Sequence, residues 1–181
     1  MRVFISGGAK NGKSLRAQRI AKRMAEAAGL PLYYVATMEP HDDEDDARIA
    51  RHRRERAGWG FETVEQATNL PAVLSRTDPD GVYLLDSVTA LVANEMFSAA
   101  GCDLSAGERV AADLTAFLAR AKNCVLVSDF IYADAAVFDD MTDAYLRALA
   151  QSDRAAAAAC DCVLEVSADT VTCHKGVLPC E

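Results

Sequence analysis

The chain has 181 residues, of which 51% are hydrophobic and 25% charged, and its formal net charge is −8. This composition supports one globular domain over residues 1–181 and excludes a largely disordered chain. The acidic balance argues against a protein that coats nucleic acid or anionic lipid. The sequence shows no apolar signal segment and no stretch of ~18 apolar residues that could span a membrane. We therefore expect a cytoplasmic protein.

Short apolar segments alternate with longer helical segments along the chain. The apolar segments lack polar–apolar alternation, which is typical of strands buried on both faces, and they cover residues 3–5, 32–36, 82–85, 125–127 and 163–166. Helices are predicted for residues 13–28, about 43–56, 87–99, 106–121 and 140–159. This alternation favours a mostly parallel α/β sheet with helices on both faces. Residues 170–174 are expected to form an antiparallel edge hairpin with the preceding strand.

A glycine-rich loop stands between the first predicted strand and the first predicted helix. Its sequence matches the pattern G-x-x-x-x-G-K-[ST] in full. The predicted nucleotide-binding residues of this loop are Gly7, Gly8, Ala9, Lys10, Asn11, Gly12, Lys13 and Ser14. Backbone N–H groups of such a loop point at phosphate oxygens, and the helix N-terminus adds partial positive charge. Lys13 is expected to contact the β- and γ-phosphates, and the Ser14 hydroxyl to bind Mg²⁺. The alternative, a turn that binds nothing, is disfavoured by the Lys-Ser pair in register.

An acidic residue, Asp86, follows the predicted strand 82–85. P-loop enzymes usually hold the metal with an acid at the end of a neighbouring strand. The alternative is that Asp86 is the N-cap of the helix starting near Ser87. We favour the metal role because the phosphate loop already implies a bound metal ion.

The segment 42–56 changes from an acidic run to a basic one, which suits the dipole of a helix. His52 lies four residues from both Arg48 and Arg56, so a helix would place it between two arginines. Such a face attracts phosphate, and a neutral imidazole can attack an α-phosphorus. The charge pattern alone nevertheless favours a solvated surface helix in which His52 has no role.

Several motifs occur in a fixed order over about the first 95 residues. They are Ser-Gly-Gly-Ala at 6–9 with Gly-Lys-Ser at 12–14, Tyr-Val-Ala-Thr at 34–37, the acidic run 42–46, Arg-Ile-Ala-Arg-His at 48–52, Arg56, Trp59 and Thr-Val-Glu at 63–65. A strand ending in Asp86 and a following segment with Thr89 and Asn94 complete the set. This order resembles the bifunctional adenosylcobinamide kinase and adenosylcobinamide-phosphate guanylyltransferase family of cobalamin synthesis.

The resemblance implies two reactions. The first phosphorylates adenosylcobinamide with GTP or ATP, and the second transfers GMP from GTP through a covalent His-GMP intermediate to give adenosylcobinamide-GDP. It aligns His52 with the family's nucleophile. The resemblance therefore favours a catalytic role for His52, whereas the charge pattern alone favours none. It also points to nucleotide or metal contacts outside the phosphate loop at Thr37, Arg53, Arg56, Glu65 and Asp86. The fold expected is a RecA-like P-loop NTPase, a three-layer sandwich.

The resemblance also implies partners and a cofactor. Mg²⁺ is expected with Ser14 and Asp86 as its protein ligands, and the partners are a guanine nucleotide and a corrinoid, both small molecules. No nucleic acid is expected, and the family suggests a homo-oligomer.

The second half of the sequence departs from the family pattern. Ser-Asp-Phe-Ile-Tyr at 128–132 stands where family members typically carry Asn-Glu-Val-Gly, and Asp153-Arg154 stands where Asn-Gln is expected. These departures keep two alternatives open. One is a P-loop small-molecule kinase that lacks guanylyl transfer, and the other is a catalytically inactive GTP-binding subunit.

Overall fold

A seven-stranded sheet forms the centre of the molecule in the computed structural model, which describes residues 1–39, 50, 54, 56–98, 101–133, 136–168 and 170–178. Its strands are β1 (Arg2–Gly7), β2 (Leu32–Ala36), β3 (Phe61–Glu65), β4 (Val82–Asp86), β7 (Asn123–Asp129), β8 (Cys162–Ser167) and β9 (Thr170–Lys175). They lie in the order β3-β2-β4-β7-β1-β8-β9. All neighbours are parallel except β8 and β9, which form the antiparallel edge pair predicted from the sequence. A separate small hairpin joins β5 (Phe97–Ser98) to β6 (Gly101–Cys102).

Helices cover both faces of this sheet and make the three layers predicted from the sequence. The four described helices are α1 (Lys13–Ala28), α2 (Val88–Met96), α3 (Ala106–Arg120) and α4 (Asp140–Ala159), and a 3-10 helix spans Leu70–Ser75. Ile20 of α1 packs with Val3 and Ile5 on one face. The other three α-helices form the second core with alternate residues of the same strands, such as Phe4 and Leu126. None of the described helices is long and apolar enough to cross a bilayer.

The strand order brings the phosphate loop close to the end of β4. Strand β7 alone lies between β1, which leads into the phosphate loop, and β4, which ends in Asp86. The α/β class with a mostly parallel sheet is therefore confirmed.

Three local predictions need correction or fall outside the described residues. Strand β3 was not predicted as an element, because only Val64 of its five residues is buried. The predicted helix 87–99 corresponds to α2, which ends at Met96, because Phe97 adopts an extended conformation and the N–H of Asp103 donates to the Met96 carbonyl. Most of the predicted helix 43–56 lies outside the described residues, and Arg56 itself belongs to a turn.

Gly7 ends β1 where the chain turns into the phosphate loop, and it has no room for a side chain. A Cβ atom at this position would lie 2.2 Å from the carbonyl oxygen of Val166, which is backbone and cannot rotate away. We expect Gly7→Ala to lower the free energy of unfolding by about 3 kcal/mol, in the upper range for overpacking. Urea denaturation checks this, with Gly8→Ala as the matched control, because a Cβ there meets nothing within 4 Å. Equal stability of the two variants would contradict the prediction.

Candidate nucleotide-binding site

The carboxyl ends of four parallel strands meet at one edge of the sheet. Gly7 of β1 is in register with Asp129 of β7, and Asp86 of β4 is in register with Val127 of β7 and Ala36 of β2. Asp86 comes two residues after Leu84, and Asp129 comes two residues after Val127. Leu84 and Val127 both face α1, and alternate residues of a strand point to the same face of the sheet. Two carboxylates therefore point to the sheet face that also carries the phosphate loop, the usual ligand position in open α/β sheets.

The phosphate loop is braced by Asn11. Its side-chain amide donates to the Val166 carbonyl of β8 at 2.5 Å, and its side-chain oxygen accepts from the Lys13 N–H at 3.2 Å. Lys10 and Gly12 have positive φ angles of 55° and 84°, which give the loop its tight turn. Gly12 is the N-cap of α1 and supplies no side-chain cap, so amides of the first turn remain available to an anion.

Lys13 is the most buried cation of the loop, with only 6% of its surface exposed. Its Nζ donates to the Gly8 carbonyl at 2.9 Å and pairs with Asp129 Oδ1 at 2.5 Å. A buried ammonium needs such partners, because desolvation without them is costly. Phosphate oxygens of a bound nucleotide are the natural replacement for the Asp129 carboxylate.

Asp129 was not predicted as a site residue. In the sequence it stands within a segment that departs from the family pattern. The missing signal was the strand register, which places Asp129 level with Gly7 across the β1–β7 pair. The only feature of the sequence that points to a role for Asp129 is its place as an acidic residue after an apolar strand.

Asp86 belongs to a second cluster at the ends of β2 and β4. The Tyr34 hydroxyl donates to Asp86 Oδ2 at 2.8 Å, and the Arg56 guanidinium lies 3.5 Å from the centre of the Tyr34 ring. Burial, followed by the charge of Asp86, raises the pKa of Tyr34 well above its usual value, so the hydroxyl stays protonated. Arg56 is 7% exposed and is held by this stacking.

The N-cap of α2 is Ser87, whose hydroxyl accepts from the Ala90 N–H. The alternative role of Asp86 as that N-cap is therefore wrong. Thr37 fixes the same junction, because its hydroxyl accepts from the Ser87 N–H at 2.7 Å and donates to the Ser87 carbonyl at 2.8 Å. The Asn94 amide in turn donates to the Thr37 carbonyl at 2.6 Å. Thr37 and Asn94 thus connect β2 to β4 and α2.

The predicted site residues divide into three groups. The loop residues and Asp86 lie at one edge of the sheet, and Arg56 joins Asp86 through Tyr34. Glu65 ends the edge strand β3, which is separated from β1 by three strands or about 19 Å of sheet. His52 and Arg53 lie outside the described residues.

Residues 3–171 match the family model described as cobinamide kinase / cobinamide phosphate guanyltransferase. The chain belongs to this family. The match continues well beyond residue 95, so it includes the segments that depart from the pattern noted above.

Three curated proteins of the family resemble the chain over part of its length. The bifunctional adenosylcobalamin biosynthesis protein CobP of Pseudomonas aeruginosa is 40% identical over 96 residues, which are 52% of this chain and 52% of that protein. The CobU proteins of Escherichia coli and Salmonella typhimurium are 33% and 32% identical over 102 and 103 residues, in each case 56% of this chain and 53% of theirs. The chain thus spans about half the length of the curated relatives it matches.

The structure also resembles the flagellar accessory protein FlaH of Methanocaldococcus jannaschii. The TM-score is 0.49 and the sequence identity 13%, over 97% of this chain and 78% of FlaH.

The Lys13–Asp129 ion pair gives a prediction for the Asp129→Asn variant. Without the carboxylate, Lys13 loses its competing partner, so the Kd for GTP should fall or stay unchanged. The phosphoryl transfer that we propose below should nevertheless slow by about 10²- to 10³-fold, because in that proposal Asp129 accepts the proton. Nucleotide titration and steady-state kinetics measure the two effects separately. A parallel loss of binding and rate would show that Asp129 only supports the fold of the loop.

Proposed function

We propose that this protein is a bifunctional enzyme of cobalamin synthesis that phosphorylates adenosylcobinamide and then transfers GMP to the product. Membership of the family supports the substrates, and one structural observation carries the nucleotide site. It is the buried Lys13 at the start of α1, held between a loop carbonyl and the Asp129 carboxylate. The cytoplasmic location and the homo-oligomer remain predictions.

In the kinase step, the loop amides and Lys13 hold the triphosphate of GTP or ATP. The hydroxyl oxygen of adenosylcobinamide attacks the γ-phosphorus, and the bond from that phosphorus to the bridging oxygen breaks. The nucleoside diphosphate leaves with the bonding electrons. Asp129 accepts the hydroxyl proton once Lys13 has turned from its carboxylate to the phosphates.

The donor atoms at the sheet edge suit Mg²⁺. Ser14 is the second residue of α1 and offers a hydroxyl, and Asp86 offers a carboxylate on the face that α1 covers. Both are hard oxygen donors, which Mg²⁺ prefers. When bound, the ion would neutralise charge on the phosphates.

In the transferase step, the His52 imidazole attacks the α-phosphorus of GTP, and the bond to the oxygen that bridges the α- and β-phosphorus breaks to release pyrophosphate. A phosphate oxygen of adenosylcobinamide phosphate then attacks the same phosphorus and displaces the imidazole. Arg56 supports this proposal from within the described residues, because it is a buried cation stacked on Tyr34, whose hydroxyl donates to Asp86. Arg53, Thr37 and Glu65 remain predicted nucleotide contacts.

The proposed function is tested by giving the wild-type protein Mg²⁺, adenosylcobinamide and GTP labelled in either the γ- or the α-position. Label from the γ-position in the corrinoid and label from the α-position on the protein support both steps. Transfer of the γ-label alone would indicate the small-molecule kinase. Nucleotide binding without transfer of either label would indicate the inactive GTP-binding subunit.

A further inference from the structure

A buried carboxyl group lies on the sheet face opposite the phosphate loop. Asp153 of α4 is only 2% exposed, and its Oδ2 accepts a hydrogen bond from the Tyr132 hydroxyl at 3.1 Å. Its Oδ1 is buried and has no hydrogen-bond partner among the described residues. A carboxyl group in this setting is costly to the fold, because burial penalises an incompletely paired polar atom. The kinase and transferase steps above do not use it.

Residues of β7 and α2 connect Asp153 to Asp129. Ser128 and Asp129 are neighbours on β7, so their side chains point to opposite faces of the sheet. The Ser128 hydroxyl, which lowers the pKa of Asp153, lies 3.4 Å from the Thr89 hydroxyl of α2. The Thr89 hydroxyl oxygen accepts from the Asp129 N–H at 2.8 Å.

Two tyrosines fasten this region to α4. Tyr132, three residues after Asp129, donates to Asp153, and Tyr145 of α4 donates to the Thr89 carbonyl at 3.2 Å. The backbone on both sides of the Asp129 side chain is therefore held from the opposite face. Ser128 and Thr89 hold one side, and Tyr132 holds the other.

We propose that Asp153 is a positioning residue that, through Tyr132 and Ser128, fixes the Asp129 carboxylate beside Lys13. This inference rests on the proposed nucleotide site. It assigns a role to one of the positions at which the sequence departs from the family pattern. An ionised Asp153 accepts stronger hydrogen bonds than a neutral one, so the active arrangement is the ionised form.

The protonation of Asp153 is set by groups from each element around it. Burial raises the pKa of Asp153 to about 6, and the charge of Asp129 at the end of β7 adds to this. The Ser128 and Tyr132 hydroxyls act in the opposite direction and lower the pKa. Arg154, its neighbour on α4, acts on Tyr132. The residue of α2 in this network is Thr89, which is uncharged. Helix α3 contacts α4 through Gly107 and Ala148, which are also uncharged.

The test follows loss of the γ-phosphate of GTP, both to water and to adenosylcobinamide, from pH 5 to pH 8. His52 acts at the α-phosphorus and does not enter this readout. The wild-type kcat should rise with an inflection near pH 6, as Asp153 ionises. Asp153→Asn should lack this inflection. Its kcat at pH 7.5 should be about tenfold lower and its KM for GTP little changed, as expected for a misplaced catalytic group.

Tyr132→Phe is a second variant, for which we can predict the direction in which the pH of the inflection moves. The Tyr132 hydroxyl lowers the pKa of Asp153, so its removal should move the inflection to higher pH. Tyr83→Phe is the matched control, because this buried tyrosine also loses a hydrogen-bonded hydroxyl, but one that contacts Thr77 and the Asp78 carbonyl. Its inflection should stay at the wild-type pH.

The outcomes separate this inference from the proposed function. An inflection that survives unchanged in Asp153→Asn or in Tyr132→Phe overturns the positioning role, whether or not phosphate reaches the corrinoid. Hydrolysis with an inflection that depends on Asp153, but without transfer to adenosylcobinamide, supports the role and overturns the proposed acceptor. A wild-type protein that releases no γ-phosphate at any pH overturns both.

Discussion

Lys13→Ala is expected to abolish phosphoryl transfer, with kcat/KM for GTP at least about a thousandfold lower. The side chain supplies the buried positive charge of the phosphate loop, and charge stabilisation is the main contribution that such a site makes to phosphoryl transfer. The variant also leaves the Asp129 carboxylate without its partner at 2.5 Å, which adds repulsion toward the nucleotide phosphates. Transfer of label from γ-labelled GTP measures the rate, and equilibrium titration measures the Kd.

Lys22→Ala is the matched control for Lys13→Ala. Lys22 lies on the same helix and forms an ion pair with Glu26 one turn later. Its loss should change kcat/KM less than twofold, because exposed ion pairs contribute ~0.2–1 kcal/mol and this pair takes no part in the site. Comparable activity of Lys13→Ala and Lys22→Ala would refute the phosphate role of Lys13.

His52→Ala is expected to remove all covalent label from the protein after incubation with α-labelled GTP. The proposed phosphoramidate bond forms on the His52 imidazole itself, so the loss should be complete within detection. The kinase step does not use His52, and transfer of the γ-label should stay within about threefold of wild type. The measurement is acid-labile, base-stable label on denatured protein.

His174→Ala is the corresponding control. His174 lies on the edge strand β9, half exposed, with its Nε2 2.7 Å from Glu165. This variant should keep the wild-type amount of covalent label. Label that persists in His52→Ala and disappears in His174→Ala would identify His174 as the nucleophile.

The strand–loop–helix unit at the N-terminus could be predicted almost residue by residue. Residues 13–28 of the predicted helix coincide with α1, because the loop motif marks the start and Gly29 in a left-handed conformation marks the end. The five apolar strands were also found. Four of them carry a run of buried residues, whereas buried and half-buried residues alternate in β8, which the sequence did not show. Strand β3 was not, because its exposed Glu62 and Thr63 leave no apolar run to detect.

The site could be predicted only where local motifs carry it. Lys13 and Asp86 follow from patterns of a few residues. Asp129 and Asp153 could not be selected, because their roles depend on the β1–β7 register and on the hydrogen bond that joins α4 to Tyr132 after β7. Pairings between residues so distant in the sequence leave no local signal. The same limit applies to the Arg56–Tyr34–Asp86 contacts, which join three separate segments.

The position of β1 in the sheet has a consequence for the assembly of the chain during synthesis. The two strands that pair with β1 are β7 and β8, and the carbonyl that braces the phosphate loop is that of Val166, so these three partners all come from the C-terminal third. Such non-local pairings form late, because the intervening loop must first be closed. Synthesis must therefore reach Val166 before all the strand pairs of β1 and the brace of the phosphate loop can form.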